Sequence, residues 1–190
     1  MRSRVWLAVM FVACALSAGA QQAPAVVHVP QVLPPATRLE GFAATPGSVL
    51  TIGYDRLGGI EGVFVEVRDM RDARGGSASG VVVTVTEEDG RSRQDAYVDA
   101  DELPGLINGV DALMSVSRNP TSFDNYEVHY ATRGDLLVSA LSTRTGGVVY
   151  SVQAGRIERS LRTGITSGEM IKLRGIFDAA VQKLRSAAGR

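Results

Sequence analysis

Residues 164–180 read GITSGEMIKLRGIFDAA, and this stretch decides the predicted fold class. Thr166 and Glu169 have the spacing of a helix capping box, in which the Thr hydroxyl and the Glu carboxylate each accept a hydrogen bond from the other residue's backbone N–H. The apolar residues that follow recur at alternating steps of three and four: Met170, Leu173, Phe177, Ala180 and Leu184. The pattern predicts an amphipathic helix that buries one apolar face.

Segments of period two precede this helix. Val128, Tyr130 and Thr132 alternate with other residue types, as in a half-buried strand. Glycine-containing turns follow at 134–135 and at 146–147. The predicted strands cover residues 128–132, 136–143, 148–154 and 157–165.

The first half of the chain has the same order of elements. Strands are predicted over residues 49–54, 63–68, 81–86 and 93–98. One helical face then contains Leu103, Leu106, Ile107, Val110 and either Leu113 or Met114. Asp99 and Glu102 have the spacing of a second capping box. A helix that starts at Asp101 instead places Pro104 in the first turn, where proline is tolerated, and we prefer that start. Residues 119–120 (Asn-Pro) end the helix.

The two halves align without a gap at an offset of 67 residues, with nine identities over residues 80–118. The order of strands, turns and helix also agrees. A repeated unit of this kind buries its apolar face against its sister unit. The sequence therefore predicts an α+β fold made by tandem duplication of a ββββα unit, with repeats at 48–118 and 119–190 in one compact domain.

This plan resembles a known domain type. In both repeats a Glu at the helix start is followed by Leu-x-x-x-[Val/Phe]-Asp-Ala, and the closest stretch is 164–180. The order resembles the ββββα domain of the Whirly proteins and of single-stranded-DNA-binding transcriptional coactivators, over residues 48–185. The resemblance implies antiparallel sheets whose surface binds single-stranded nucleic acid through basic and aromatic side chains.

The first twenty residues predict a secretory signal peptide. Arg2 and Arg4 precede an apolar run over 5–16, and Ala18-Gly19-Ala20 is a small-residue cleavage site. The run is too short for a transmembrane helix, so we expect no membrane span in the mature chain and a periplasmic or secreted location. In the alternative, Cys14 is acylated and anchors an outer-membrane lipoprotein.

Net charge and the small numbers of Cys and His exclude several classes of function. The whole chain is formally neutral, with 20 basic and 20 acidic residues, one Cys and two His. Removal of residues 1–20 takes away the only Trp and two arginines, which leaves a net charge of −2, so nucleic acid is not the expected partner. So few thiols and imidazoles predict no metal site, and no motif indicates a cofactor.

Residues 21–47 hold five of the seven prolines and predict an extended tether without a core.

Charge is divided unevenly between the repeats. Residues 48–132 carry 7 basic and 15 acidic residues, whereas residues 133–190 carry 10 and 4. One interpretation is electrostatic attraction between the two repeats. The other is a basic ligand-binding face made of Arg156, Arg159, Arg162, Lys172 and Arg174.

Three further groups of possible site residues are explained more simply by structural roles than by binding or catalysis. Asp99, Asp101 and Glu102 are explained by helix capping. Residues 133–135 spell Arg-Gly-Asp, where a hairpin must turn. His129 lies on a predicted strand without a nucleophile motif.

We therefore expect a non-enzymatic binding or structural protein of a bacterial envelope. It would act through its sheet surface or through self-association, and its ligand and partner are not indicated. A single-stranded nucleic-acid-binding module is the alternative. A hydrolase of unrecognised type is the second alternative, and it predicts carboxylates that converge near Asp99, Asp101 or His129.

Overall fold

The structure is a computed structural model that describes residues 34–189 except 88, 117–119 and 157–158. These residues form eight strands and three helices. In chain order they are α1 (Arg38–Ala43), β1 (Leu50–Ile60), β2 (Val63–Asp72), β3 (Ser77–Thr86), β4 (Arg93–Asp99), α2 (Leu103–Met114), β5 (Glu127–Ala131), β6 (Leu136–Ser142), β7 (Val148–Ala154), β8 (Leu161–Ile165) and α3 (Ser167–Ala188).

The strands make two antiparallel sheets of four. Sheet 1 has the order β1-β2-β3-β4 and sheet 2 has the order β5-β6-β7-β8. One helix follows each sheet, which confirms the α+β class and is consistent with a duplicated ββββα unit.

Each long helix packs on the sheet of the other repeat. α2 contacts β5 and β6, whereas α3 contacts β1, β2 and α2. The inner faces of both sheets and the two helices therefore share one apolar core. The face of each sheet that points away from this core is called its outer face below. Large side chains buried in the core include Leu103, Leu106, Leu113, Leu136, Met170, Leu173 and Phe177.

The two helix starts differ. The predicted capping box of α3 is confirmed: the Thr166 hydroxyl accepts from Glu169 N, and the Glu169 carboxylate accepts from Thr166 N. α2 begins at Leu103, and its N-cap is Glu102, one residue after the predicted Asp101, with no side-chain cap. Pro104 does lie in the first turn, as predicted.

Residues 34–47 differ from the expected extended tether. Residues 38–43 form α1, capped by the Thr37 hydroxyl, and Leu39 is fully buried. Leu39 packs with Met70, Ala78 and Val82 on the outer face of sheet 1, so burial of apolar surface stabilises this short helix. The predicted signal peptide, Cys14 and residues 21–33 lie outside the described residues.

Within the part of the chain that the structure describes, no helix combines the length and apolar character needed to cross a lipid bilayer.

Candidate ligand-binding surface

The outer face of sheet 1 has a covered half and an open half. α1 lies over the end of the sheet where Met70, Ala78 and Val82 are buried, and Tyr97 packs against them. At the other end, none of the three described helices lies over the outward positions of β2, β3 and β4. The open half is a shallow basin of about 400 Å³.

We call this depression the arginine basin. Three arginines line it, together with one aromatic ring, two threonine residues, one carboxylate and two glycines. The named residues are Arg56, Gly58, Gly59, Phe64, Glu66, Arg68, Thr84, Thr86 and Arg93.

Register explains why these side chains meet. In the antiparallel ladders Phe64 is opposite Thr84, and Thr86 is opposite Arg93. Opposed residues on neighbouring strands project from the same side of the sheet. Arg56 is opposite Glu66 and comes just before a bulge in β1, so the edge strand brings a third guanidinium to the same face.

The bulge requires glycine. Gly58 has φ of +128°, a conformation that residues with a Cβ rarely adopt. A Cβ on Gly59 would collide with the Val63 carbonyl and approach the Phe64 ring to 3.1 Å. The two glycines therefore let β1 pass close to the ring, which stays 52% exposed.

The charges of the basin are only partly balanced. Arg68 Nε donates to Glu66 at 2.7 Å, and the same carboxylate lies 3.7 Å from Arg56. Arg93 bonds both oxygens of Asp95 at 3.0 and 2.9 Å, and this hydrogen bonding raises the pKa of Arg93. Three guanidinium groups thus meet two carboxylates. Arg56, whose side chain is 83% exposed, is the most available cation.

The five basic residues named from the sequence fall on different elements. Arg156 pairs with Glu40 and Asp135, and Arg162 pairs with Glu127 at 2.9 Å. Arg174 of α3 bonds Asp111 of α2 at 2.9 Å. Lys172 lies exposed on α3, and Arg159 lies exposed before β8. The Arg174–Asp111 pair joins the two repeats, so at least one ion pair of the kind expected from their opposite charges is present. The ligand-binding role of the five basic residues stays a prediction.

The acidic group named from the sequence binds the chain itself. Asp99 is buried and accepts from the backbone N–H groups of Arg38 and Leu39 at 3.0 and 2.9 Å. Asp101 and Glu102 both pair with Arg133, at 3.0 and 3.2 Å.

The Arg-Gly-Asp turn is also held by pairs within the chain. Arg133 binds the acidic group, and Asp135 binds Arg156 at 3.1 Å. Asp135 has φ of +65°, as a tight hairpin turn requires. His129 projects from the outer face of sheet 2, whereas Asp99 and Asp101 lie at the end of sheet 1. The structure therefore does not place these groups in one cleft.

Sequence reasoning did not single out the arginine basin. Phe64, Glu66 and Arg68 fall within the predicted strand over residues 63–68, whose pattern indicates a strand but no site. One feature of the sequence could have indicated the site. Phe64 and Arg68 put an aromatic ring and a guanidinium group at outward strand positions, where small polar residues are more usual.

Known proteins add no assignment to this geometry. No family model, curated protein or solved structure matches the chain.

Proposed function

We propose that this protein is a non-enzymatic binding module that takes an extended anionic ligand across the arginine basin. The observation that carries the proposal is the exposed Phe64 ring among three guanidinium groups and two threonine hydroxyls. Rings of a polymer pack on an aromatic face, and guanidinium groups pair with carboxylate, sulfate or phosphate. The Thr84 hydroxyl already donates to Asp95 at 2.7 Å, so the Thr86 hydroxyl is the one that donates to the ligand.

The shape of the basin supports a polymer rather than a small buried substrate. The depression is open along the sheet, and its arginines stand at both sides, with Arg56 on β1 and Arg93 on β4. An elongated ligand that crosses the four strands contacts both.

The cellular setting of the proposal comes from the sequence. An amino-terminal signal peptide sends the chain to the periplasm or beyond, with lipidation at Cys14 as the alternative. The anionic polymers met there include acidic polysaccharides of the envelope, and we propose these as the ligand class.

Binding to a sulfated dextran, with neutral dextran as the comparison, tests the proposal. We expect the full chain to bind the sulfated polymer with an affinity that falls as salt rises, because ion pairs form on binding. Phe64→Ala removes the ring and is expected to weaken binding by about fivefold, the loss of roughly 1 kcal/mol. Arg56→Gln is expected to flatten the salt dependence.

Matched control variants exist on the same molecule. Phe123 is a second exposed aromatic residue, and Arg91 is an exposed arginine paired with Asp89. Phe123→Ala and Arg91→Gln are expected to bind as the unchanged chain does. Equal losses from basin and control variants would show that binding is nonspecific and would overturn the proposal.

A single-stranded nucleic-acid module is the second candidate. The same ring and guanidinium groups on a sheet face, within a plan that resembles the Whirly domain, support it. Oligo(dT) binding that is tighter than dextran sulfate binding, and that is lost in Phe64→Ala, would replace the polysaccharide assignment with this one.

A further inference from the structure

A row of one histidine and three small residues crosses the outer face of sheet 2. The strand register places His129, Ser139, Ser151 and Gly164 side by side on β5, β6, β7 and β8. The next row on one side contains Leu141 and Val149, which are larger and apolar. The small part of the row, on β6, β7 and β8, is therefore a trough beside an apolar ridge, and Ser151, Gly164, Leu141 and Val149 line one hollow.

Two hydroxyls in this trough have no hydrogen-bond partner among the described residues. Ser139 is fully buried and Ser151 is 5% exposed, and both Oγ atoms are unpaired. A buried hydroxyl without a partner has lost its hydrogen bonds to water, and nothing in the fold replaces them. The two serines lie directly opposite one another on adjacent strands, so a bound polar group can reach both.

An ion pair lies over the same trough. Glu127 is on β5 and Arg162 is on β8, the two edges of the sheet, which are about 14 Å apart at ordinary strand spacing. Both side chains project from the outer face, and Arg162 Nη2 lies 2.9 Å from Glu127 Oε1. The line that joins them passes over β6 and β7 at the level of the serine pair. The side chains are 39% and 42% exposed, which leaves each one room to move aside.

We propose that this trough is a binding site for a small zwitterion, namely a free α-amino acid with an aliphatic side chain. The ligand carboxylate pairs with Arg162 and accepts hydrogen bonds from the serine hydroxyls. The ligand ammonium group pairs with Glu127. The ligand's aliphatic side chain lies along Leu141 and Val149. A zwitterion suits the site because it gives each member of the opened ion pair a new partner, whereas a simple acid or amine leaves one of them unpaired. This site is separate from the arginine basin and does not rest on the function proposed for that basin.

Three ligands of one shape test the proposal by calorimetric titration of the full chain. L-Leucine carries both charges, 4-methylpentanoate lacks the ammonium group, and 3-methylbutylamine lacks the carboxylate. We expect leucine to bind at least tenfold more tightly than either analogue. Absence of leucine binding up to millimolar concentrations, or equal binding of leucine and one analogue, would overturn the proposal.

Variants locate the site. A Cβ added at Gly164 meets open space, so Gly164→Val fills the trough without a backbone clash and is expected to abolish leucine binding. Gly53→Val on β1 of the other sheet is the control, since a Cβ there makes only an ordinary contact with the Asp69 carbonyl. Glu127→Gln keeps the size of the side chain and is expected to lower leucine affinity at least tenfold, to that of 4-methylpentanoate. Full leucine binding by Glu127→Gln would contradict the assigned geometry.

Discussion

The Asp99 carboxylate at the end of β4 accepts a hydrogen bond of 2.9 Å from the backbone N–H of Leu39 in α1. This bond joins residues 60 positions apart, and Asp99 is only 1% exposed. The segment before the first repeat is therefore fastened to the last strand of that repeat. Because α1 also covers half of the outer face of sheet 1, the fastening determines how much of that face stays open.

Asp99→Ala is expected to release α1 from sheet 1. The substitution leaves two backbone N–H groups without their acceptor, which costs about 1–3 kcal/mol in the free energy of unfolding. Limited proteolysis is expected to cut near residues 38–47 in this variant first. Asp101→Ala is the control, since that side chain is 59% exposed, and equal effects of the two substitutions would contradict the capping role.

The packing of α2 on sheet 2 makes Gly109 a critical position. A Cβ at Gly109 would lie within 3.0 Å of the Tyr130 ring on β5. A Cβ at Gly175 in α3 would meet only open space. Gly175→Ala is expected to stabilise the chain by about 0.5–1 kcal/mol, the usual gain in a helix, whereas Gly109→Ala is expected to destabilise it. Urea unfolding measures both, and a gain in the Gly109 variant would mean that α2 does not pack closely on β5.

The capping box of α3 gives a third prediction. Thr166→Ala removes the hydroxyl that accepts from Glu169 N, and it is expected to lower the free energy of unfolding by about 1 kcal/mol. Ser167→Ala changes the next residue, which lies inside the helix, and serves as the control. Equal midpoints for the two variants in thermal unfolding would argue against the cap.

The order of elements was predictable because local patterns encode it. All five residues of the predicted apolar stripe of α3, from Met170 to Leu184, are buried, and the strand predicted over residues 63–68 forms part of β2. These patterns depend on periodicity within one element. The sheet that each helix covers was not predictable, because the stripe specifies a buried face without specifying the partner of that face.

The helix α1 and the arginine basin escaped prediction for related reasons. Six residues are too few to show a helical period, and Leu39 is buried only because sheet 1 supplies a surface and Asp99 supplies a cap. The basin brings Arg56, Phe64 and Arg93 together through the pairing of four strands and a bulge in the first. Strand pairing brings these residues together, so no single stretch of sequence contains the whole group.

The ion pair between the two long helices is expected to make stability depend on pH. Arg174 hydrogen-bonds Asp111 and lowers the pKa of that carboxyl below its ordinary value of about 3.9. A carboxyl with a lowered pKa stabilises the folded state fully above its unfolded pKa, and this contribution disappears as pH falls through the folded pKa.

We therefore expect Arg174→Met to be less stable than the unchanged chain above about pH 4, and the difference to vanish in more acidic solution. NMR titration of Asp111 is expected to show its pKa rising toward the ordinary value in this variant. Arg185→Met, farther along α3, is the control and is expected to leave the Asp111 titration unchanged. A stability difference that persists undiminished at low pH would show that Arg174 acts through packing of its aliphatic stem rather than through its charge.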